Sequence, residues 1–361
     1  MLHCMNDGAI PFTEKVRRAG VVEHYLLLGE GNMRRWDWEK MSAKLHGDTL
    51  ALWRFLLLGQ KVPEAEAETL LGKQALGFLT RHKMCKVENG ELSLGSACLL
   101  SYRDHLFFAD MGSAARTLFS DETRALISLI PRLDKGRVLS LYPTTGVEVL
   151  PLISKGNVEV AFLEEEKERT LLEPNLELGA AGRKHSYITK AKAKKSQFDL
   201  ILSSPPSCIA VPGISLPAYV AGGPDGWKWV NESLRIAEKS LAPGGSMVMV
   251  FMFFAKAESK DMEPQLRAKL EPYELDYRLM IPSKMLMEPG VPIFNQLVAI
   301  SGYFSKSTNA ESVIKRVLTF LKKREYGAVY LVKAVFTRPT EGERRRDITN
   351  YSDDYYGTWT F

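Results

Sequence analysis

The chain has 361 residues, a formal net charge of +5, 45% apolar residues and 25% charged ones. That length suits two ordinary domains, and the composition is ample for buried cores, which excludes a disordered or collagen-like chain. The most apolar stretch, residues 247–255, is about half of the roughly 20 residues needed to cross a bilayer. With no apolar signal region at the N-terminus, an unexported cytosolic protein without a membrane partner is expected. The four cysteines, Cys4, Cys85, Cys98 and Cys208, lie scattered with no CxxC pair and no His at ligand spacing. Neither a disulfide framework nor a metal site is expected.

In chain order, the first readable helix begins at Asp48-Thr49 and carries Leu50, Trp53, Leu56 and Leu57 at helical spacing, with Gly59 ending it. Pro63 opens a second helix that runs to Leu71-Gly72, and residues 74–82 supply a third with Leu76 and Leu79 on one face. Residues 84–87 and 91–94, joined by Glu88-Asn89-Gly90, then read as a hairpin, because Asn-Gly tolerates the positive φ angles of a type I′ turn. Three helices followed by a hairpin define a winged-helix-like α+β domain over residues 1–110. Lys73, Arg81, His82, Lys83 and Lys86 give its third helix a basic character, but Glu64, Glu66 and Glu68 on the preceding helix oppose a phosphate backbone. A lid, substrate-shaping or dimerisation module fits this charge pattern better than a DNA reader.

A small, polar linker over residues 110–120 leads into the second domain, residues 111–340. Ser120 caps a helix over 121–130, with Asp121 and Glu122 complementing its dipole. From Arg137 the chain alternates short apolar strands with helices, the order of a doubly wound, mostly parallel α/β sheet. Ligands of such sheets sit beyond the carboxyl ends of the strands. The loop after the first strand is Tyr142-Pro143-Thr144-Thr145-Gly146, and the second strand, 158–163, ends in Glu164-Glu165-Glu166. A carboxylate there either accepts hydrogen bonds from a vicinal diol or simply belongs to an acidic helix start.

The segment Phe198-Asp199-Leu200-Ile201-Leu202-Ser203-Ser204-Pro205-Pro206-Ser207 resembles the FDLIxxNPPY motif of class I S-adenosylmethionine (SAM) methyltransferases. Within that family it is similar to the release-factor glutamine and small-domain ribosomal RNA guanine methyltransferases. Gly222-Gly223-Pro224-Asp225-Gly226, a helix with Val230, Leu234, Ala237 and Leu241 on one face, and Leu241-Ala242-Pro243-Gly244-Gly245 follow in the family's order. The resemblance, which spans residues 110–339, implies a Rossmann-like sheet of seven strands and SAM as cofactor or substrate. It also implies a cofactor site at Tyr142, Thr144, Thr145, Gly146, Glu164 and Ser203, with Tyr142, Ser203, Ser204 and Pro205 at the reacting centre.

The departures bear on the reaction. Ser140 stands where the first strand usually has an acid, Tyr142 and Thr144 where the loop usually has glycines, Ser204 where the family has Asn, and Ser207 where it has a stacking aromatic. A hydroxyl bonds to a substrate but offers no planar amide pairing, so methylation of glutamine or a nucleobase loses its main support. The expected reaction is methyl transfer to an amine or other nucleophile on a small molecule of specialised metabolism. Two alternatives remain. One is intramolecular attack of SAM's amino group on its own γ-carbon, giving azetidine-2-carboxylate and methylthioadenosine. The other is an RNA or protein N-methyltransferase.

Tyr187, Tyr219, Trp227 and Trp229 are aromatic candidates for the sulfonium or, equally, for core packing. Cys208 is read as an inert thiol, since no His accompanies it. The basic run 184–195 and Arg344-Arg345-Arg346 read as solvated faces sooner than nucleic-acid contacts. The aromatic, basic tail 341–361 either docks on the sheet or folds over the pocket. The oligomeric state is left open, a dimer included.

Overall fold

The computed structural model describes residues 8–110, 119–143, 145–154, 157–164, 171–180, 183, 185–214, 216, 220–304, 309–339 and 344–353. Most of the expected linker, along with Thr144, Tyr219 and the end of the aromatic tail, lies outside them.

The N-terminal segment contains the three expected helices and hairpin, plus elements the sequence reading did not name. Helices α1 (Ala9–Arg18), α2 (Val21–Leu26) and α3 (Arg35–Ser42) precede α4 (Gly47–Leu56). A short strand β1 (Val62–Pro63) then leads into α5 (Glu64–Leu71) and α6 (Lys73–Arg81). The hairpin is β2 (Lys86–Glu88) and β3 (Glu91–Ser93), and its sheet order is β1-β3-β2. Asn89 and Gly90 adopt φ of 55° and 78°, the left-handed pair that the Asn-Gly turn provides. A second hairpin, β4 (Ala97–Tyr102) and β5 (His105–Asp110), follows. Its strands are nearly all buried and read as apolar runs without alternation, so period alone does not separate them from a helix.

Helix α7 (Asp121–Leu129) begins at Ser120, whose hydroxyl accepts from the Thr123 amide as a capping residue should. The large sheet then alternates with helices: β6 (Gly136–Leu141), α8 (Leu150–Ile153), β7 (Val158–Leu163), α9 (Leu172–Gly179), β8 (His185–Ile188), α10 (Lys190–Ala193) and β9 (Phe198–Ser203). It continues through α11 (Lys228–Ser240), β10 (Leu241–Ala255), α12 (Ser259–Leu270), β11 (Asp276–Leu286), α13 (Pro292–Phe304), α14 (Ala310–Arg324), β12 (Ala328–Thr337) and β13 (Arg346–Asn350).

The strand order is β13-β11-β12-β10-β9-β6-β7-β8. Strand β12 runs antiparallel to both neighbours, while β8, β7, β6, β9 and β10 pair in parallel. Counting from β6, the first seven strands lie in the order 3-2-1-4-5-7-6 with the seventh reversed, which is the Rossmann-like methyltransferase topology. Among the described residues the sheet has eight strands, which corrects the expected count of seven. Residues 346–350 of the tail join β11 in parallel, Tyr277 pairing with Arg346 and Ile281 with Asn350. Tail docking is continued by a hydrogen bond between the Ser352 and Ser259 hydroxyls and by an ion pair of Asp353 with Lys284.

Each sheet face carries its own core. On one face Val138, Phe162, Leu202 and Val250 pack with α7–α9 and, without a break, with the N-terminal segment through Phe12 of α1, Phe78 of α6 and Phe108 of β5. On the other, Leu139, Ile201, Met249 and Phe251 pack against α11 and α12 through Val230, Leu234 and Leu266. A third cluster joins α13 and α14, inserted between β11 and β12, to Ile209, Val211 and Ile214 after the Ser-Pro-Pro-Ser segment. Among the described residues, no helix is long and apolar enough to cross a membrane, and no cluster of His, Cys, Asp or Glu could hold a metal ion.

Candidate active site

Strands β6 and β9 are adjacent in the centre of the sheet, with Leu141 opposite Ser203. Their carboxyl ends therefore deliver the 142–146 loop and the Ser204-Pro205 segment side by side, at the switch in strand order where ligands of such sheets bind. Tyr142 adopts φ of 55°. It thus holds the left-handed conformation a glycine would supply, at a cost of about 1 kcal/mol. Its ring lies 5.8 Å from that of Trp229. Gly146 is also left-handed (φ 79°), the conformation that favours glycine, and a Cβ there would meet Leu172 Cδ1 of α9 at 2.6 Å, so a larger residue would have to push that side chain aside. Thr145 is fully buried, and its hydroxyl accepts from the Val147 amide at 3.3 Å.

The acid missing at Ser140 has a counterpart that the sequence reading did not find. The Ser140 hydroxyl donates to Glu148 Oε1 at 3.4 Å, and both side chains are buried under the loop. The only signal was an acidic residue inside the apolar run Val147-Glu148-Val149-Leu150. Glu164 follows β7 directly and is exposed, where a ligand could reach it.

The Ser-Pro-Pro-Ser segment divides by role. Ser203 is fully buried, and its hydroxyl shares a 2.9 Å hydrogen bond with Ser233, which in turn donates to the Trp229 carbonyl at 2.9 Å. Ser203 is thereby tied into the base of the site. Ser204 is half-buried at the strand's end, and Pro205 is buried beside it. Ser207, standing where the family has an aromatic, turns inward and accepts from the Met252 amide at 2.9 Å. The segment beyond it docks on the Gly-Gly-Pro-Asp-Gly loop: Gly222 N–H donates to the Cys208 carbonyl at 2.7 Å and Ala210 N–H to the Gly223 carbonyl at 2.8 Å. Asp225 closes that loop, accepting from Trp227 N–H at 3.1 Å and pairing with Lys269 of α12 at 2.6 Å. Burial pushes its carboxyl up, but these two partners outweigh it and hold the group below its ordinary value.

Of the four aromatic candidates, Trp229 reaches the site. Its indole N–H donates to the Ala221 carbonyl at 3.0 Å, and the Lys228 and Lys190 ammonium groups lie 4.1 and 5.5 Å from its ring. Trp227 is core, edge-on to Phe251 and Phe253. Tyr187 donates to Glu173 at 2.5 Å and packs on Phe162, away from Tyr142. Tyr219 and Thr144 lie outside the described residues. Burial pushes the Cys208 thiol up to about 12. Little thiolate forms below that value, so iodoacetamide at pH 8 should leave Cys208 unmodified in the native protein and alkylate it in urea. Rapid native alkylation, read by peptide mass, would contradict its inertness.

No protein-family model matches the chain, and neither does any curated protein sequence. Among solved structures, it is similar to a SAM-dependent methyltransferase from Agrobacterium tumefaciens, with 18% identity, 49% of this chain and 58% of that one covered, and a TM-score of 0.36. A SAM-dependent methyltransferase from Thiobacillus denitrificans, in complex with S-adenosyl-L-homocysteine, aligns at 13% identity over 62% of this chain and 93% of that one, with a TM-score of 0.33. The tRNA m1G37 methyltransferase of M. jannaschii aligns at 10% identity over 68% and 58%, with a TM-score of 0.36. The chain spans little more than half the length of the first matched proteins, 55% for one from Streptococcus mutans and 58% for the Agrobacterium protein.

Proposed function

We propose that this chain is a SAM-dependent transferase that moves a methyl group to an amine or other nucleophile on a small molecule. The observation that carries the reading is the 3-2-1-4-5-7-6 sheet with the Tyr142 loop and the Ser204-Pro205 segment at adjacent strand ends. The site fits the cofactor, because Tyr142 and Gly146 keep the left-handed turns of a glycine loop and Glu164 presents a carboxylate at the end of β7. In this reading residues 142–146 hold the amino-acid end, Glu164 accepts from the ribose hydroxyls, and Ser203 braces the floor through Ser233.

Bound SAM supplies a methyl group activated by its sulfonium. The Ser204 hydroxyl orients the acceptor, and Pro205 fixes the direction in which that hydroxyl points. Acceleration then comes mainly from aligning the nucleophile with the methyl carbon, since an amine needs no strong base once uncharged. The Tyr142 and Trp229 rings offer π faces worth about 0.5 to 2 kcal/mol to a nearby cation. The same pair supports the second reading, in which SAM's amino nitrogen attacks its γ-carbon, the C–S bond breaks, and methylthioadenosine leaves as the nitrogen loses a proton.

An RNA or protein acceptor, of the kind modified by the glutamine and guanine methyltransferases, has less support, because Ser207 is turned inward and offers no stacking platform. The N-terminal segment is read as a winged-helix-like module, on the order α4-β1-α5-α6-β2-β3 and the β1-β3-β2 sheet. Its role in this reading is intramolecular. Arg81 and His82, at the end of α6, engage Glu177 of α9 at 2.5 and 2.6 Å, which withdraws them from any phosphate backbone.

Incubating the purified protein with SAM alone, then with small amines, and weighing the products tests these readings. S-adenosylhomocysteine with a methylated amine is the expected result. Methylthioadenosine without S-adenosylhomocysteine would reject methyl transfer in favour of cyclisation, and methyl incorporation only into tRNA, ribosomal subunits or release factors would reject the small acceptor. Absence of SAM binding by calorimetry would overturn the enzyme reading.

A further inference from the structure

Helix α9 lies between the N-terminal segment and the candidate cofactor loop, and one side chain on it bonds to both. Asn175 is fully buried. Its Oδ1 accepts from Phe108 N–H at 2.6 Å, while its two amide hydrogens serve the Phe108 carbonyl at 2.8 Å and the Thr145 carbonyl at 2.7 Å. An amide has two N–H donors, and both are spent here, one on each body. Phe108 belongs to β5 of the second hairpin, so Asn175 completes the outward backbone groups of that strand as a neighbouring strand would. Thr145 belongs to the loop beside Tyr142.

Three further contacts make α9 a stiff connection. Leu172, one turn before Asn175 on the same face, fills the space above Gly146 that a Cβ would need. Glu177 takes Arg81 of α6 and the adjoining His82 at its outer end. Glu173 accepts from Tyr187 at 2.5 Å and from His185 at 3.1 Å, which ties the helix to β8.

We infer that Asn175 is a positioning residue through which the N-terminal segment sets the backbone of the cofactor loop. The inference rests on the SAM reading for its functional consequence but not for its geometry. A buried carbonyl left without its donor costs free energy, so Thr145 shifts to find another partner when Asn175 is lost. The left-handed turn at Gly146 and the placement of Tyr142 shift with it. The N-terminal segment then contributes to cofactor affinity without touching the cofactor.

The test compares Asn175→Ala and Asn175→Asp with Leu71→Ala, a buried position in α5 that loosens the N-terminal core but makes none of the hydrogen bonds of Asn175. Asp keeps the acceptor for Phe108 N–H and nearly the same volume, but its carboxylate has no donor for either the Phe108 or the Thr145 carbonyl. The two variants strain the fold differently, one by a cavity and one by a buried charge, so either alone suffices for the measurement. The first readout is hydrogen exchange of the amides of residues 145–149, which needs no ligand. Both Asn175 variants should exchange there about tenfold faster than Leu71→Ala, within the range of couplings carried by packed networks. The SAM dissociation constant should rise by a similar factor, with turnover at saturating SAM changed by less than about twofold, the pattern of lost uniform binding. Exchange in Asn175→Asp no faster than in Leu71→Ala, or equal SAM affinity in the two, would overturn the positioning role. Wild-type protein that binds no SAM would refute the cofactor reading, while the exchange comparison would still decide whether Asn175 holds the loop.

Discussion

Gly226→Ala should destabilise the protein by about 2–4 kcal/mol and abolish turnover, a larger effect than most single methyl additions produce. Two terms add. Gly226 sits at φ of 73°, where an L-residue pays about 1 kcal/mol. A Cβ there would also run into the Ser207 carbonyl oxygen, and forcing a methyl into packed backbone costs about 1–3 kcal/mol more. Backbone cannot yield as a flexible side chain can. Gly222 is held as tightly, its Cβ position lying 2.7 Å from Ser207 Cα and 2.8 Å from the Pro206 carbonyl. The Gly-Gly-Pro-Asp-Gly loop is therefore a mould for the Ser-Pro-Pro-Ser segment, and a methyl in the mould displaces Ser204 from the strand end. Gly290→Ala is the control, since Gly290 is also left-handed (φ 92°) but has open space around its Cβ position. It should cost about 1 kcal/mol and leave turnover intact. Urea titration of both variants measures the difference, and equal losses would show that the clash contributes nothing.

Glu164→Ala should raise the SAM dissociation constant about 10- to 100-fold with little change in turnover at saturation or in stability. Hydrogen bonds to a charged group are worth about 1.5–3 kcal/mol, and loss of the carboxylate removes such bonds to a vicinal diol. A group that holds the ribose contributes equally in ground and transition states, so the effect falls on affinity. Because the Glu164 side chain is exposed at the end of β7, its removal leaves no cavity, and unfolding free energy should move by less than about 0.5 kcal/mol. Calorimetry with SAM measures the first quantity and urea unfolding the second. Wild-type affinity in Glu164→Ala would move the ribose contact to another residue.

The resemblance carried by the Ser-Pro-Pro-Ser, Gly-Gly-Pro-Asp-Gly and Pro-Gly-Gly series led to the right sheet, because each motif is a tight backbone junction whose requirement is local. Pro243-Gly244-Gly245 is one such case. Pairing of β10 with β9 breaks between Leu241 and Ser246 and resumes at Leu200, a bulge built from the glycines. The roles of the serines were not local. Ser203 and Ser204 are chemically alike in sequence, but the pleat turns one toward Ser233 and leaves the other at the strand's end. Trp227 and Trp229 diverge for a similar reason, two positions apart at the start of α11, one packing in the core and one reaching Tyr142.

The sequence by itself determined the alternation of strands and helices and the places where the chain must turn sharply. Those features depend on residues within a few positions of each other, where period, capping and the φ preferences of glycine act. Tertiary structure decided the rest. It added an eighth strand from the tail, merged the N-terminal helices into the core of the sheet, and brought Glu148 beneath Ser140 and Asn175 between Phe108 and Thr145. Each of these pairings satisfies a buried polar or apolar group with a partner distant in the chain or across a loop. Chain spacing carries no record of such a partner, because what selects it is the cost of leaving that group unmatched once water has been excluded.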